Sequence, residues 1–82
     1  MTKEQREQLE AELNFLDKRM DRAEDKMHKA DEEGNKERAA HYDHVWEVHW
    51  AKLSGYIEAL HILGYSAVQN ESTGWKYMIL NN

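Results

Sequence analysis

Residues 9–30 read LEAELNFLDKRMDRAEDKMHKA, with apolar members at Leu9, Leu13, Leu16, Met20, Ala23, Met27 and Ala30. The intervals alternate four and three without a miss. On a helix such positions form one narrow stripe, the pattern of a helix that pairs with another helix. Charged residues and good helix formers fill the other positions. Upstream, Thr2 and Gln5 have the spacing of a capping box. The stripe stops at Asp31-Glu32-Glu33-Gly34-Asn35, where Gly34 can take the left-handed conformation that ends a helix and Asn35 can cap the next.

A second run follows at Ala39, Tyr42, Trp46, His49, Leu53, Tyr56, Leu60 and Leu63, with the same alternation. The two helices are expected over about residues 3–32 and 36–63, each about 42–45 Å long at the usual helical rise. A turn over residues 33–35 is short enough to fold them back antiparallel. The chain contains no proline, so nothing forces either helix to break.

Helix 2 carries a further stripe opposite its seam: Val48, Ala51, Gly55, Ala59 and Ile62. A helix apolar on two opposite faces is expected to lie between two neighbours. Glycine in mid-helix costs about 1 kcal/mol relative to alanine, which points to close backbone approach at Gly55. The covering element is either the C-terminal segment of this chain or helix 2 of a second copy. That segment, about residues 65–80, has the aromatic and β-branched runs of a β-hairpin around the turn-like Asn70-Glu71-Ser72-Thr73-Gly74. A two-stranded hairpin is marginal alone in water and needs a surface to lie on.

The chain is one small domain of 82 residues without cysteine, so disulfides and thiolate metal sites are excluded. A core this small gives modest stability, which favours self-association. The net charge of −5 disfavours sequence-independent nucleic-acid binding. No segment approaches the roughly 20 apolar residues of a membrane span. The start Met-Thr-Lys-Glu-Gln-Arg-Glu does not read as a secretory signal, so the cytoplasm is the expected location.

Five histidines call for a test of metal binding. Glu58 and His61 have the spacing that supplies half of a di-iron site in ferritin-like bundles, and Glu10 lies level with them across the hairpin. Yet Glu58 points about 140° away from the seam, whereas a di-metal site needs its carboxylates inside. His28, His41 and His44 read as surface imidazoles near the turn, and His49 as a hydrogen-bonded seam residue. No metal ligand and no cofactor is expected.

Helix 1 separates its charges. Lys18, Arg19, Arg22, Lys26 and Lys29 gather on one flank of the seam, with Phe15 at their head; Glu10, Asp17, Asp21, Glu24 and Asp31 gather on the other. One reading is a solvated helix with intrahelical ion pairs. The other is a docking strip for a partner, with Phe15, Lys18, Arg19, Arg22 and Lys26 as its contacts. Trp46, Trp50, Trp75 and the four tyrosines are expected in the core, because residues 39–82 contain only Lys52 and Lys76 as cations around which bases could stack.

No catalytic constellation or phosphate loop is present. The residues point to a mainly α protein, a coiled-coil-like antiparallel helical hairpin followed by a short β-hairpin, dimerising into a four-helix bundle. The expected function is a non-enzymatic interaction or assembly module whose partners are itself and another protein. Its compact acidic style suggests an accessory protein of a phage or mobile element. A ferritin-like metal-binding assembly and a nucleic-acid regulator using the basic flank of helix 1 are the alternatives.

Overall fold

The computed structural model of the chain describes residues 1–74 and 76–81. Helix α1 spans Lys3–Glu32 and α2 spans Lys36–Ile62, followed by strands β1 (Tyr65–Asn70) and β2 (Lys76–Asn81). Trp75, expected in the hairpin, lies outside the described residues.

Local chemistry accounts for each boundary. The Thr2 hydroxyl accepts from the Gln5 N–H at 3.1 Å, and the Thr2 N–H donates to Gln5 Oε1 at 2.9 Å. The reciprocal pair satisfies two of the N–H groups a helix start leaves without an intrahelical partner. Gly34 turns the chain at φ 72°, and the Asn35 side chain accepts from the Arg38 N–H at 3.1 Å. The strands pair antiparallel, with Ala67 opposite Ile79 and Gln69 opposite Tyr77. Asn70 is itself a strand residue, opposite Lys76, and a turn of 3-10 helix over Glu71–Thr73 joins the strands.

The heptad stripe of α1 is the buried face. Leu13, Leu16, Met20, Ala23 and Ala30 are buried, and Leu9 and Met27 are half-buried. On α2 the seam holds at Ala39, Leu53 and Leu60, which are buried, and at Tyr42, Trp46 and His49, which are half-buried. Two of its expected members depart: Tyr56 is 38% exposed and Leu63 is 70% exposed. Ile57 packs on the core instead. Tyr56 and Ile57 lie about 50° to either side of the line through Leu53 and Leu60, at 100° per residue. The β-hairpin forms a third layer on the Ile57 side alone. Periodicity places both residues near the seam; the position of the third layer decides which is covered.

Side chains at 65, 67, 77 and 79 face the helices, and Ile79 is buried with Leu13, Leu16, Met20, Leu53 and Leu60 in one cluster. Val68 and Leu80 face outward and are exposed. The large buried side chains therefore concentrate beneath the β-hairpin, while the turn half of the helix pair is sealed by Ala23, Ala30 and Ala39.

Asn14 on α1 fixes where the hairpin lies. Its Oδ1 accepts from the Tyr77 N–H at 2.6 Å and its Nδ2 donates to the Tyr77 carbonyl at 3.3 Å. The side-chain amide thus mimics a neighbouring strand along the outer edge of β2, a surface that otherwise invites pairing with another chain.

Leu53→Ala is expected to destabilise the fold by about 2–5 kcal/mol, since Leu53 is only 1% exposed at the junction of three elements. A loss below about 0.5 kcal/mol in urea denaturation would contradict this packing. Asn14→Ala leaves the Tyr77 N–H and carbonyl without their partner and should cost about 1–3 kcal/mol. Amide exchange at Tyr77, whose N–H donates to Asn14, should accelerate with it; unchanged exchange would show that this hydrogen bond does not hold the hairpin in place.

Candidate functional site

The stripe on α2 is bare. Val48 is 41% exposed and Ile62 77%, and Ala51, Gly55 and Ala59 are exposed between them. A Cβ placed on Gly55 would meet nothing within 4 Å. The β-hairpin, the covering element from within the chain that the sequence left open, sits on a different side of α2. Among the described residues, therefore, no other element comes close to Gly55, and Ala51 and Ala59 beside it are exposed.

The two charged flanks of α1 have different fates. The acidic flank lies on the β-hairpin side. Burial there raises the Asp17 carboxyl above its ordinary value of 3.8, and the neighbouring charge of Asp21 raises it further. The Tyr77 hydroxyl is raised in turn, by burial and then by Asp17. The basic flank lies on the opposite face of the helix pair, where Arg19, Arg22, Lys26 and Lys29 are all exposed and no described element covers them.

On that open face Phe15 is 52% exposed, with the Arg19 guanidinium 5.4 Å from its ring centroid. Further toward the turn, Tyr42 of α2 joins the basic residues. Lys26 Nζ lies 5.4 Å and the Arg38 guanidinium 5.9 Å from the centre of its ring. Two small cavities adjoin there. One of ≈ 190 Å³ is lined by Lys26, Lys29, Arg38 and Tyr42, with Glu33 as its carboxylate. The other, of ≈ 150 Å³, is lined by Arg19, Arg22, Lys26, Tyr42 and His49. Cations over an aromatic ring interact with its negative face, which holds the rim in place.

Among the described residues the intrahelical pairing expected of α1 reduces to one contact, Glu24 with His28 at 3.7 Å. Arg19, Arg22, Lys26 and Lys29 form no ion pair with any described residue. Of the residues the sequence grouped as partner contacts, Phe15, Arg19, Arg22 and Lys26 share this face. Lys18 does not: it lies about 200° from both Leu16 and Met20, directly behind the seam, and lines neither cavity. Arg38 and Tyr42 were not legible as members of the site. Their place depends on the register of α2 against α1, and Tyr42 reads in sequence as a seam residue.

Trp50, expected in the core, is 48% exposed and stacks on Trp46 at 6.0 Å. It borders an open groove of ≈ 500 Å³ between α2 and β1, whose lining includes Glu58, His61 and Val68. Glu58 and His61 are both exposed there, outside the helix pair. His28, His41 and His44 are exposed, whereas half-buried His49 bonds through Nδ1 to the Val45 carbonyl at 2.7 Å. Among the described residues no group of three or more His, Asp or Glu side chains is placed to hold a metal ion. No helix of the described residues is long and apolar enough to cross a membrane. A wider cavity, ≈ 740 Å³, opens at the far end between Gln5, Gln8, Glu12, Tyr56, Leu63 and Tyr65.

Compared with protein-family models, curated proteins and solved structures, the chain matches none.

Asp17 gives the site region a pH dependence of definite sign. A carboxyl whose folded value is raised favours the neutral form, so its contribution to stability is complete below its ordinary value of 3.8 and is lost as pH rises through the raised value. At neutral pH the charge is therefore a cost. Asp17→Asn should raise the melting temperature at pH 7 and lose that advantage near pH 3, checked by paired thermal melts; a lower melting temperature at pH 7 would show the carboxylate to be stabilising.

Proposed function

We propose that the chain is a non-enzymatic assembly and protein-interaction module, which self-associates through the outer stripe of α2 into a four-helix bundle and offers its open face to a partner protein. The observation that carries this reading is the uncovered stripe of Val48, Ala51, Gly55, Ala59 and Ile62. Water against an apolar helix face is unfavourable, and small side chains allow a second helix to approach closely enough for broad backbone contact.

Surface area supports the same reading. The accessible surface is 6093 Å² for a 9.7 kDa chain. A folded monomer of that mass is expected to expose about 5,100 Å². The excess, about 1,000 Å², is comparable to the roughly 800 Å² each partner contributes to a standard interface. Shape is the origin of the excess. The radius of gyration is 15.0 Å, against about 12 Å for a compact domain of this length. A second copy laid along α2 would thicken the molecule across its short dimensions, 25 and 18 Å.

Sedimentation should give about twice the 9.7 kDa chain mass. Gly55→Leu should shift the protein towards monomer: overpacking by about 1–3 kcal/mol weakens association about 5- to 150-fold. Its helicity should be kept or improved, because leucine is the better helix former and the monomer has open space at that position. A monomeric wild type, or a mutant with unchanged self-affinity, would refute association through this face.

A further inference from the structure

We infer that the open face of the turn half is a docking groove for an acidic protein segment, whose carboxylates are received by Arg19, Arg22, Lys26 and Lys29 of α1 together with Arg38 of α2. The inference rests on the reading of the chain as an interaction module and names the chemistry of its partner.

Charge complementarity carries it. The chain has 11 lysines and arginines against 16 aspartates and glutamates, yet five of those cations converge on two adjoining cavities. Among the described residues none of the five is in an ion pair. Glu33 lines one of the cavities, but the five cations outnumber it and none pairs with it among the described residues. The excess positive charge repels itself, and an anionic ligand relieves that repulsion. The groove is also organised. Tyr42 stands between Lys26 and Arg38, so cations from both helices are oriented around one ring.

The size of the cavities selects the ligand class. Volumes of ≈ 190 and ≈ 150 Å³ admit a carboxylate and its methylenes, one beside the other along the helix pair. Lys26 and Tyr42 line both, so a segment with acidic residues a few positions apart occupies the two together. Exposed Phe15 extends the groove with an apolar contact, which suits a peptide carrying a hydrophobic residue beside its acids. Nucleic acid fits less well. The Tyr42 ring is occupied by cations rather than free for stacking, and a wide polyanion would bring further phosphates near the acidic residues of an already negative chain.

The test uses the full chain and a fluorescein-labelled dodecaglutamate peptide carrying one phenylalanine, followed by anisotropy at low salt and at about 0.3 M salt, where screening is strong. Binding is expected at low salt and should weaken at high salt. Lys29→Glu and Arg38→Glu should each lower affinity at least about tenfold, a difference of 1.4 kcal/mol in binding free energy. Lys52→Glu and Lys76→Glu, which change net charge equally but lie outside the groove, should change it less than about twofold. Lys29→Glu removes no contact to Tyr42, so a loss there is not a loss of fold; circular dichroism of each variant checks this.

The inference is overturned if the peptide does not bind at low salt, if all four reversals act alike, or if a labelled twelve-nucleotide single strand binds more tightly with the same sensitivity to Lys29 and Arg38. It is separable from self-association. Gly55→Leu monomers should bind the peptide as the wild type does, and Lys29→Glu should sediment as the wild type does. A failure of one pair of measurements leaves the other standing.

Discussion

Leu13, Leu53 and Ile79 come from three different elements and are the most deeply enclosed large side chains of the described residues. Their meeting ties the chain together. Two helices alone bury one stripe each, and a two-stranded hairpin alone is marginal in water. Placing Ile79 over the cleft between α1 and α2 turns a two-layer contact into a three-layer one. Asn14 then fixes the placement laterally, because its amide satisfies both backbone groups of Tyr77. Apolar burial supplies the driving force, and this directional pair of hydrogen bonds selects one docking position.

That position distributes the charges of α1. The hairpin lies on the acidic side, where Asp17 loses solvent and is raised by burial and by Asp21. The basic side remains open and gains Arg38 and Tyr42 across the helix pair. One packing choice thus sets both the electrostatic cost on one face and the concentrated positive charge on the other. The stripe of α2 lies at the edge between them, facing away from α1.

Helix α1 was legible from residues 9–30 because it packs through one stripe, so period and burial coincide. Helix α2 was legible as a helix but not in its exposure. Tyr56 and Ile57 straddle the seam almost symmetrically, and only the third layer distinguishes them. The docking position of that layer depends on Asn14, whose signal was weak: a poor helix former, polar, one position beyond Leu13 in an otherwise regular pattern. For the candidate site, the clustering of Phe15, Arg19, Arg22 and Lys26 followed from helical angle alone. Lys18, grouped with them in the sequence, lies behind the seam and lines neither cavity, because a flank read from sequence spans a wide arc. Arg38 and Tyr42 needed the cross-helix register, which no local pattern encodes.

The alanine seal of the turn half has a mechanical consequence. Ala23, Ala30 and Ala39 bury far less apolar area than Leu13, Leu16, Leu53, Leu60 and Ile79, so rigidity is graded along the 47 Å length of the molecule. The end beneath the sheet is held by the larger apolar contact, and the turn end by small contacts and the short connection between Glu32 and Lys36. Local fluctuation of the turn end costs less than unfolding the whole. Lys29 and Arg38 stand on opposite helices beside that turn, so any ligand that engages both works as a clasp. Its binding would stiffen the turn end, and the amides it protects from exchange would lie on both helices around the turn.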